Sequence, residues 1–263
     1  MSQNPTAKVS YLSLSANEIR SIEKPVVRET AWNIYVNGQE LVTLLCTPDK
    51  MNFLVLGFLA SEGVISGLDD VALLRVCEDE GNIVDCRLAG KEVVLPTRRV
   101  LLSGCGGGVT FEDLKATHAG LTSSLSVTPA QISTLMRDLQ KSAEIYREAG
   151  GTHASALSDG DRLLVVAEDV GRHNTLDKIR GECIYHGIPT KDRILLTTGR
   201  ISSEMVKKAI GIEVPIVVSR TSPTDLAVTL ADSWGITLVG YVRGRRMNIY
   251  THRERIALIE EKA

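Results

Sequence analysis

Residues 193–219 read RILLTTGRISSEMVKKAIGIEVPIVVS, and the pattern in this stretch decides the fold class. Here and in the residues that follow, short apolar runs alternate with helical patterns, in the order 193–197, 202–210, 215–219, 223–234 and 237–242. Uninterrupted apolar runs of this length are typical of parallel strands that are buried on both faces. Strands that alternate with helices therefore predict an α/β fold, with a mixed, largely parallel sheet and helices on both faces.

The strongest helix signal lies upstream, at 128–148. Thr128, Pro129 and Gln131 form a capping-box sequence with proline at the first helical position. Apolar residues recur at helical spacing and predict one buried stripe, made of Ile132, Leu135, Met136, Leu139, Ala143 and Tyr146. We interpret this stripe as core and not as a cofactor site.

The first half of the chain predicts a smaller α+β unit. Asn37-Gly38 between two apolar runs is a strong two-residue hairpin signal. Thr47 as N-cap and Pro48 as the first helical residue predict a buried helix that ends near Gly63. Residues 71–100 alternate and predict a small β-meander.

These patterns divide the chain into three parts. We expect a weakly ordered N-terminal arm at 1–24, an N-terminal α+β subdomain with a glycine-rich cysteine loop at 25–127, and an α/β domain at 128–263.

Composition bounds the possible partners of the chain. The 263 residues carry a formal net charge of −2, which gives no global field for nucleic acid or anionic membranes. No apolar run approaches the ~18 residues of a membrane span, and the polar N-terminus has no signal-peptide core. We therefore expect a cytoplasmic protein that binds neither nucleic acid nor membrane. The five cysteines form no C-x-x-C pair, so we expect no protein-bound metal.

Arginines follow every strand of the predicted parallel sheet. They are Arg172, Arg200, Arg220, Arg243, Arg245 and Arg246, accompanied by the hydroxyl residues Ser202, Ser203 and Thr221. Carboxyl ends of parallel strands share one edge, where helix N-termini and arginines can bind anions. The pattern predicts an anion site, most naturally for phosphate or pyrophosphate. The alternative is that these arginines cap loops or pair with nearby carboxylates, which are Glu168, Asp169, Glu204 and Asp225.

His173 lies in the sequence EDVGRHN, close to two carboxylates and before a helix. It could act as a general acid or base, donate to a ligand, or serve as a satisfied structural histidine. His153 could meet it across the sheet.

Cys105 lies in SGCGGG, residues 103–108, where it is surrounded by glycines. It could be a nucleophile on a mobile loop or an inert thiol in a tight turn. A metal role is weaker, because no second ligand lies at C-x-x-C or C-x-x-H spacing. A P-loop is excluded, since no Gly-Lys-Ser/Thr follows.

Several stretches in the same order resemble the formate dehydrogenase accessory sulfurtransferase family (FdhD/NarQ). They are CTPDKMNFLVLGFLASEGVI, SGCG, GGTHASAL, EDVGRHNTLDKIRG, TTGRISSEMVKKA, SRTSPTDLAVTLA and ITLVGYVRGRRMNIYTH. The resemblance implies a cytidine-deaminase-like fold and a homodimer. It also implies a sulfur carrier between a cysteine desulfurase and the molybdenum cofactor, bis-molybdopterin guanine dinucleotide, before insertion into formate dehydrogenase.

The resemblance also implies residue roles. Sulfur travels as a persulfide on Cys105, and the cofactor or its guanine nucleotide contacts Tyr241, Val242, Arg243, Gly244, Arg245 and Arg246. The chain departs from the family at one position, because Gly108 stands where many members have a second loop cysteine. A cofactor-binding chaperone without sulfur transfer therefore remains an alternative. A nucleotide hydrolase has little support, because it needs a metal cluster or base–nucleophile pair that the sequence does not supply. Deamination is not implied either, since THASA lacks the glutamate of the zinc signature.

Overall fold

The computed structural model describes residues 3–16, 18–79, 81–90, 100–101, 109–110, 118 and 120–258. In the first half, the elements are β1 (Thr6–Ser15), β2 (Glu18–Val27), β3 (Thr30–Val36), β4 (Gln39–Cys46), α1 (Met51–Ser61), β5 (Val71–Cys77), β6 (Ile83–Leu88), β7 (Val100–Leu101) and β8 (Val109–Thr110). In the second half, they are α2 (Pro129–Ser142), α3 (Glu144–Ala149), β9 (His153–Ser158), β10 (Leu163–Asp169), α4 (Arg172–His186), β11 (Ile194–Thr197), α5 (Ser203–Gly211), β12 (Ile216–Ser219), α6 (Asp225–Ser233), β13 (Thr237–Arg243) and β14 (Arg246–Ile249).

The N-terminal unit is a four-stranded sheet in the order β4-β3-β6-β5, with α1 packed against one face. The hairpin between β3 and β4 turns at Asn37 and Gly38, whose φ values of 50° and 82° match the predicted turn. Trp32 on β3 and Leu54 on α1 are fully buried in the shared core. The predicted α+β character of this unit is confirmed.

Two local predictions in the first half of the chain are wrong. The helix begins at Met51 and not after Thr47, because Thr47 bonds to the distant Val170, whose N–H donates to the Thr47 hydroxyl at 3.2 Å. Lys50, with φ of 53°, takes the N-cap position instead. Residues 1–24, predicted as a weakly ordered arm, contain most of the β1–β2 hairpin, in which ten residue pairs are in register.

The C-terminal unit is a six-stranded mixed sheet in the order β10-β9-β11-β12-β13-β14. The helix α2 covers one face, and α4, α5 and α6 cover the other, with a separate buried core on each side. The predicted α/β class with helices on both faces is confirmed.

The predicted helix at 128–148 is correct at its start and broken near its end. Thr128 and Gln131 form both bonds of the capping box. The chain leaves helical geometry at Ala143, so the last turns form α3 and Tyr146 is 53% exposed. Tyr146 is therefore not part of the buried stripe, because the break at Ala143 turns it away from the sheet.

The two units are joined where α1 crosses α4. A β-carbon on Gly57 would lie 2.8 Å from the Gly181 nitrogen, and one on Gly181 would lie 2.8 Å from the Gly57 nitrogen. Only glycine permits backbones to approach this closely. Among the helices described, none combines the length and the hydropathy that a membrane-spanning helix requires.

Candidate functional site

Four strands of the six-stranded sheet run in one direction, so their carboxyl ends meet at one edge. Both β10 and β11 are antiparallel to β9, and β11, β12 and β13 are parallel to one another. The loops that leave these four ends are 170–171, 198–202, 220–224 and 244–245. We call them together the carboxyl edge. The carboxyl edge therefore brings together the four arginine-bearing loops that the sequence predicted to meet at one edge of the sheet.

Backbone hydrogen bonds join neighbouring segments at this edge. The Thr224 N–H donates to the Ile201 carbonyl at 2.9 Å, and the Tyr241 N–H donates to the Thr221 carbonyl at 3.0 Å. Arg200, Thr221 and Tyr241 therefore lie on consecutive, mutually braced segments.

Buried hydroxyl groups on the strands hold these loops in place through hydrogen bonds. Ser155 donates to Thr197 at 3.0 Å, the Gly199 N–H donates to the same Thr197 hydroxyl at 3.1 Å, and Ser219 donates to the Gly199 carbonyl at 2.6 Å. All three hydroxyl side chains are fully buried. This role was not predicted, although Thr197 and Ser219 are each the last residue of an apolar strand, which was a usable signal.

His173, in the first turn of α4, is buried and contacts the start of α5. Its Nε2 lies 3.2 Å from the Ser202 hydroxyl, and both residues are less than 10% exposed. Burial, followed by the nearby Arg172, lowers the pKa of His173 to about 3. The ring is therefore neutral at physiological pH and is placed to position the two helix starts. Ser203, the next residue, is the first of α5.

Arg172 is also buried, unlike the other predicted arginines. A β-carbon on Gly199 would lie 3.1 Å from the Arg172 side chain and 3.3 Å from His153 Nδ1, so these residues meet at one point. Burial and Arg172 lower the pKa of His153. A charge on His153 would in turn lower the pKa of His173.

The two carboxylates before His173 do not act on it. Glu168 accepts the N–H groups of Ile145 and Tyr146 at 2.8 Å each, which holds the start of α3. Asp169 pairs with Lys178 at 2.7 Å, and both side chains are fully buried.

Asp169 also joins the two units of the protein. It accepts the Thr47 N–H at 3.1 Å, and Asn174 donates to Asp169 at 2.8 Å and to the Leu45 carbonyl at 3.0 Å. Much of the EDVGRHN motif therefore serves to hold the fold together.

The remaining predicted arginines are exposed at or beside the carboxyl edge. They are Arg200, Arg220, Arg243, Arg245 and Arg246. No ion pair links any of these arginines to a residue that the structure describes. The alternative predicted pairing with Glu168, Asp169, Glu204 or Asp225. Glu168 and Asp169 bind other groups, and among the described residues no ion pair joins Glu204 or Asp225 to these arginines. An edge that presents these guanidinium groups to solvent attracts anions.

A bulge in β13 determines which side chains of the 241–246 stretch are exposed and which are buried. Tyr241 has a left-handed φ of 54° and is exposed, whereas the next side chain, Val242, is 1% exposed and packs against α2. Arg243 and Arg246 then lie opposite each other in the β13–β14 register, on either side of the turn at Gly244. Val242 is therefore a core residue that can meet a ligand only at its margin.

A cavity of about 850 Å³ lies beside this stretch, between α2 and the β13–β14 turn. Val242, Gly244 and Arg245 line one wall. The α2 wall, which was not predicted from the sequence, includes Thr128, Ser133, Thr134, Arg137 and Gln140. The cavity lies on the face opposite to Arg172, His173 and Ser202, so the predicted site residues form two groups on two faces of the sheet.

Comparisons with known proteins identify the family. The model of the FdhD/NarQ family matches residues 27–257. The chain belongs to the FdhD/NarQ family. The protein named sulfur carrier protein FdhD from Bacillus licheniformis is 38% identical over 261 residues, covering 97% of this chain and 99% of the relative. The protein of the same name from Staphylococcus aureus strain MRSA252 is 41% identical over 234 residues, covering 88% of each chain.

A solved structure supports the FdhD/NarQ assignment. The crystal structure of a protein described as a formate dehydrogenase accessory protein, from Desulfotalea psychrophila, matches with a TM-score of 0.80 and 26% identity. The match covers 96% of this chain and all of that chain. Cys105, the sulfur-bearing residue that the FdhD/NarQ resemblance implies, lies outside the described residues.

Proposed function

We propose that this protein is a cytoplasmic sulfur carrier required for formate dehydrogenase activity. In this proposal it accepts persulfide sulfur from a cysteine desulfurase and delivers it to the molybdenum cofactor, bis-molybdopterin guanine dinucleotide, before insertion. A homodimer is part of the proposal. The observation that carries it is similarity across almost the whole chain to relatives named sulfur carrier protein FdhD.

Cys105 is the proposed acceptor. Its thiolate attacks the outer sulfur of the desulfurase persulfide, so that one S–S bond breaks as another forms and no oxidant is needed. A persulfide is more acidic than a thiol and is therefore a nucleophile at neutral pH. Delivery as sulfide takes two electrons, which a second thiol can supply by exchange. Gly108 leaves that second thiol to another molecule.

The buried cysteines are poor candidates for the same role. Burial raises the pKa of Cys183 to about 12 and that of Cys86 to about 11, and it raises the pKa of Cys46 further. A thiol that stays protonated is a weak nucleophile. Of the two remaining cysteines, Cys77 is half-buried on β5, and only Cys105 lies in the SGCG stretch that carries the family resemblance, so we propose Cys105 as the carrier.

The carboxyl edge and the adjacent cavity are the proposed binding site for the molybdenum cofactor. Exposed Arg200, Arg220, Arg243 and Arg246 can bind the phosphates of the cofactor as bidentate donors. The cavity beside Arg245 falls within the 300–1,000 Å³ range that small-molecule sites occupy, and we propose that it takes one guanine nucleotide end. In this proposal the buried Arg172, His173 and Ser202 position the loops.

Mass spectrometry tests the sulfur step. After incubation with a cysteine desulfurase and cysteine, we expect the wild-type protein to gain one sulfur atom that a reductant removes. Cys105→Ala should gain none, whereas Cys183→Ala, a matched variant at a buried thiol, should gain as much as the wild type. A gain that persists in Cys105→Ala would rule out Cys105 as the carrier.

Complementation separates transfer from chaperoning. In cells that lack the native gene, sulfur transfer predicts that Cys105→Ala abolishes formate dehydrogenase activity. A chaperone without transfer predicts that Cys105→Ala restores activity while the Arg243→Ala/Arg245→Ala double variant does not. Arg253→Ala, at an exposed arginine away from the 241–246 stretch, is the control for loss of charge.

A further inference from the structure

The chain passes the mouth of the α2 cavity shortly before its last residues. The Val127 N–H donates to the Arg255 carbonyl at 3.0 Å, and the Ala257 N–H donates to the Val127 carbonyl at 2.9 Å, which fixes this segment beside the start of α2. Ile256 is 4% exposed and packs in the core under α2. Leu258 then lines the cavity and is 61% exposed. The residues that follow Leu258 therefore start at the rim of the proposed nucleotide site.

The cavity has an apolar floor and a cationic rim. Met136 and Val242 line it and are 2% and 1% exposed. Arg137 on α2 and Arg245 on the β13–β14 turn line the two walls and are exposed, and we call them the rim arginines. Neither forms an ion pair with a residue in the part of the chain that the structure describes. Guanidinium groups placed in this way bind carboxylates as well as phosphates.

The sequence beyond Leu258 supplies carboxylates at this point. Residues 259–263 read IEEKA and lie outside the described residues. Glu260 and Glu261, which we call the acidic pair, are two and three residues beyond Leu258, and Lys262 carries the one positive charge of the stretch. At ~3.3–3.6 Å per extended residue, the acidic pair can reach about 7–11 Å from Leu258, and a sphere of the cavity's volume is about 12 Å across. The acidic pair is therefore within reach of both walls.

We propose that the acidic pair binds the rim arginines and competes there with the phosphates of a guanine nucleotide. This inference rests on the proposed function, because it takes the cavity as a nucleotide site and adds a regulatory contact to it. A competitor joined to its site by one or two residues binds intramolecularly, so weak ion pairs are sufficient. Such a contact weakens retention of the cofactor, which a carrier must release to its acceptor.

The size of the effect follows from the exposure of the rim arginines. Exposed ion pairs are individually weak, so two of them should weaken nucleotide binding by about fivefold. In about 1 M salt the Debye length falls to about 3 Å, so the competition should disappear. The ratio of affinities with and without the acidic pair is thus the quantity to measure, since salt also weakens nucleotide binding itself.

Calorimetric titration of the full chain with guanosine diphosphate measures this ratio. At low salt, Glu260→Gln/Glu261→Gln should bind the nucleotide about fivefold more tightly than the wild type, and in about 1 M salt equally tightly. Glu40→Gln/Glu144→Gln is the matched control, because it removes two exposed carboxylates that do not line the cavity. It should bind the nucleotide as the wild type does. Equal tightening in the control would overturn the proposal, because net charge alone would then explain the gain.

Nuclear magnetic resonance of the arginine Nε–H groups tests the contact without any nucleotide. In Glu260→Gln/Glu261→Gln, the signals of the rim arginines should shift, whereas that of the exposed Arg253, which does not line the cavity, should not. Unchanged signals, or an affinity for guanosine diphosphate equal to that of the wild type, would overturn the proposal and leave the nucleotide site intact. Shifted signals in a protein that binds no guanosine diphosphate would support the contact and overturn the nucleotide site, so the two failures are distinguishable.

Discussion

Replacing Gly181 with alanine sets two physical effects against each other. In a helix, alanine is favoured over glycine by about 1 kcal/mol, so local propensity predicts stabilisation. At the crossing of α1 and α4, however, the new β-carbon would lie 2.7 Å from the Phe53 carbonyl carbon and 2.8 Å from the Gly57 nitrogen. Carbon atoms in contact normally lie ~3.5–4.0 Å apart, so the helices must separate by about 1 Å.

The size of the loss follows from that separation. A gap of about 1 Å forfeits roughly half of the dispersion energy between facing atoms, and about 50 atom pairs at about 0.15 kcal/mol each are affected. The lost packing is then about 3–4 kcal/mol, and the gain in helix propensity offsets about 1 kcal/mol. We expect Gly181→Ala to lower the free energy of unfolding by about 2–3 kcal/mol.

Urea unfolding measures this difference. Trp32 is buried in the N-terminal core and Trp234 in the C-terminal core, so fluorescence reports on both units. With an m-value of about 2 kcal/mol/M, the midpoint should fall by about 1 M urea.

Gly211→Ala is the matched control. Gly211 is the last residue of α5, and its new β-carbon would meet only the end of the flexible Arg180 side chain, at 3.3 Å. We expect its stability to change by less than about 0.5 kcal/mol. A Gly181→Ala protein as stable as the wild type would refute the reasoning, because helix propensity would then outweigh the close approach.

Three further predictions concern a buried ion pair, a buried histidine and a helix cap. Lys178→Met leaves the Asp169 carboxylate buried without its cation and should lower the free energy of unfolding in urea by about 3–5 kcal/mol. Lys191→Met removes an exposed ion pair and should lower it by less than about 1 kcal/mol. Equal losses in the two variants would contradict the buried pairing. The unfolded chain protonates His173 near pH 6.5 but the folded protein only near pH 3, so stability should fall by up to about 1.4 kcal/mol per pH unit as the pH drops through that window. His173→Gln should flatten this slope in unfolding series at pH 7.5 and 5, and an unchanged slope would show that His173 titrates normally in the fold. Thr128→Ala removes the capping box and should lower thermal stability by about 1 kcal/mol, while Thr128→Ser should retain it; a neutral Thr128→Ala would mean that the cap contributes nothing.

Elements with complete local signals were predictable from the sequence. The Asn37-Gly38 turn and the Thr128 capping box depend on neighbouring residues alone, and both form as predicted. The apolar runs at 193–197 and 215–219 placed two parallel strands correctly for the same reason.

Features that depend on distant partners were not predictable. Thr47 has the composition of an N-cap, but its hydroxyl bonds to Val170, more than a hundred residues away. The close approach of Gly57 and Gly181 has no local signal, since each glycine simply weakens its own helix.

The candidate site was predicted as one group because sequence gives the edge of a sheet but not the face. The arginine loops do share the carboxyl edge. The bulge at Tyr241 buries Val242 against α2 and opens a cavity on the opposite face from His173. A single residue with left-handed backbone geometry reverses the alternation, and periodicity cannot reveal that.

The crossing of α1 and α4 also determines when the chain can finish folding during synthesis. Gly57 leaves the ribosome 124 residues before Gly181. At ~5–20 residues per second, the apolar surface of α1 that α4 will cover stays open for about 6–25 seconds. During that interval the newly made N-terminal unit exposes apolar surface and is prone to aggregate, so it must be shielded or the residues up to α4 must be synthesised quickly.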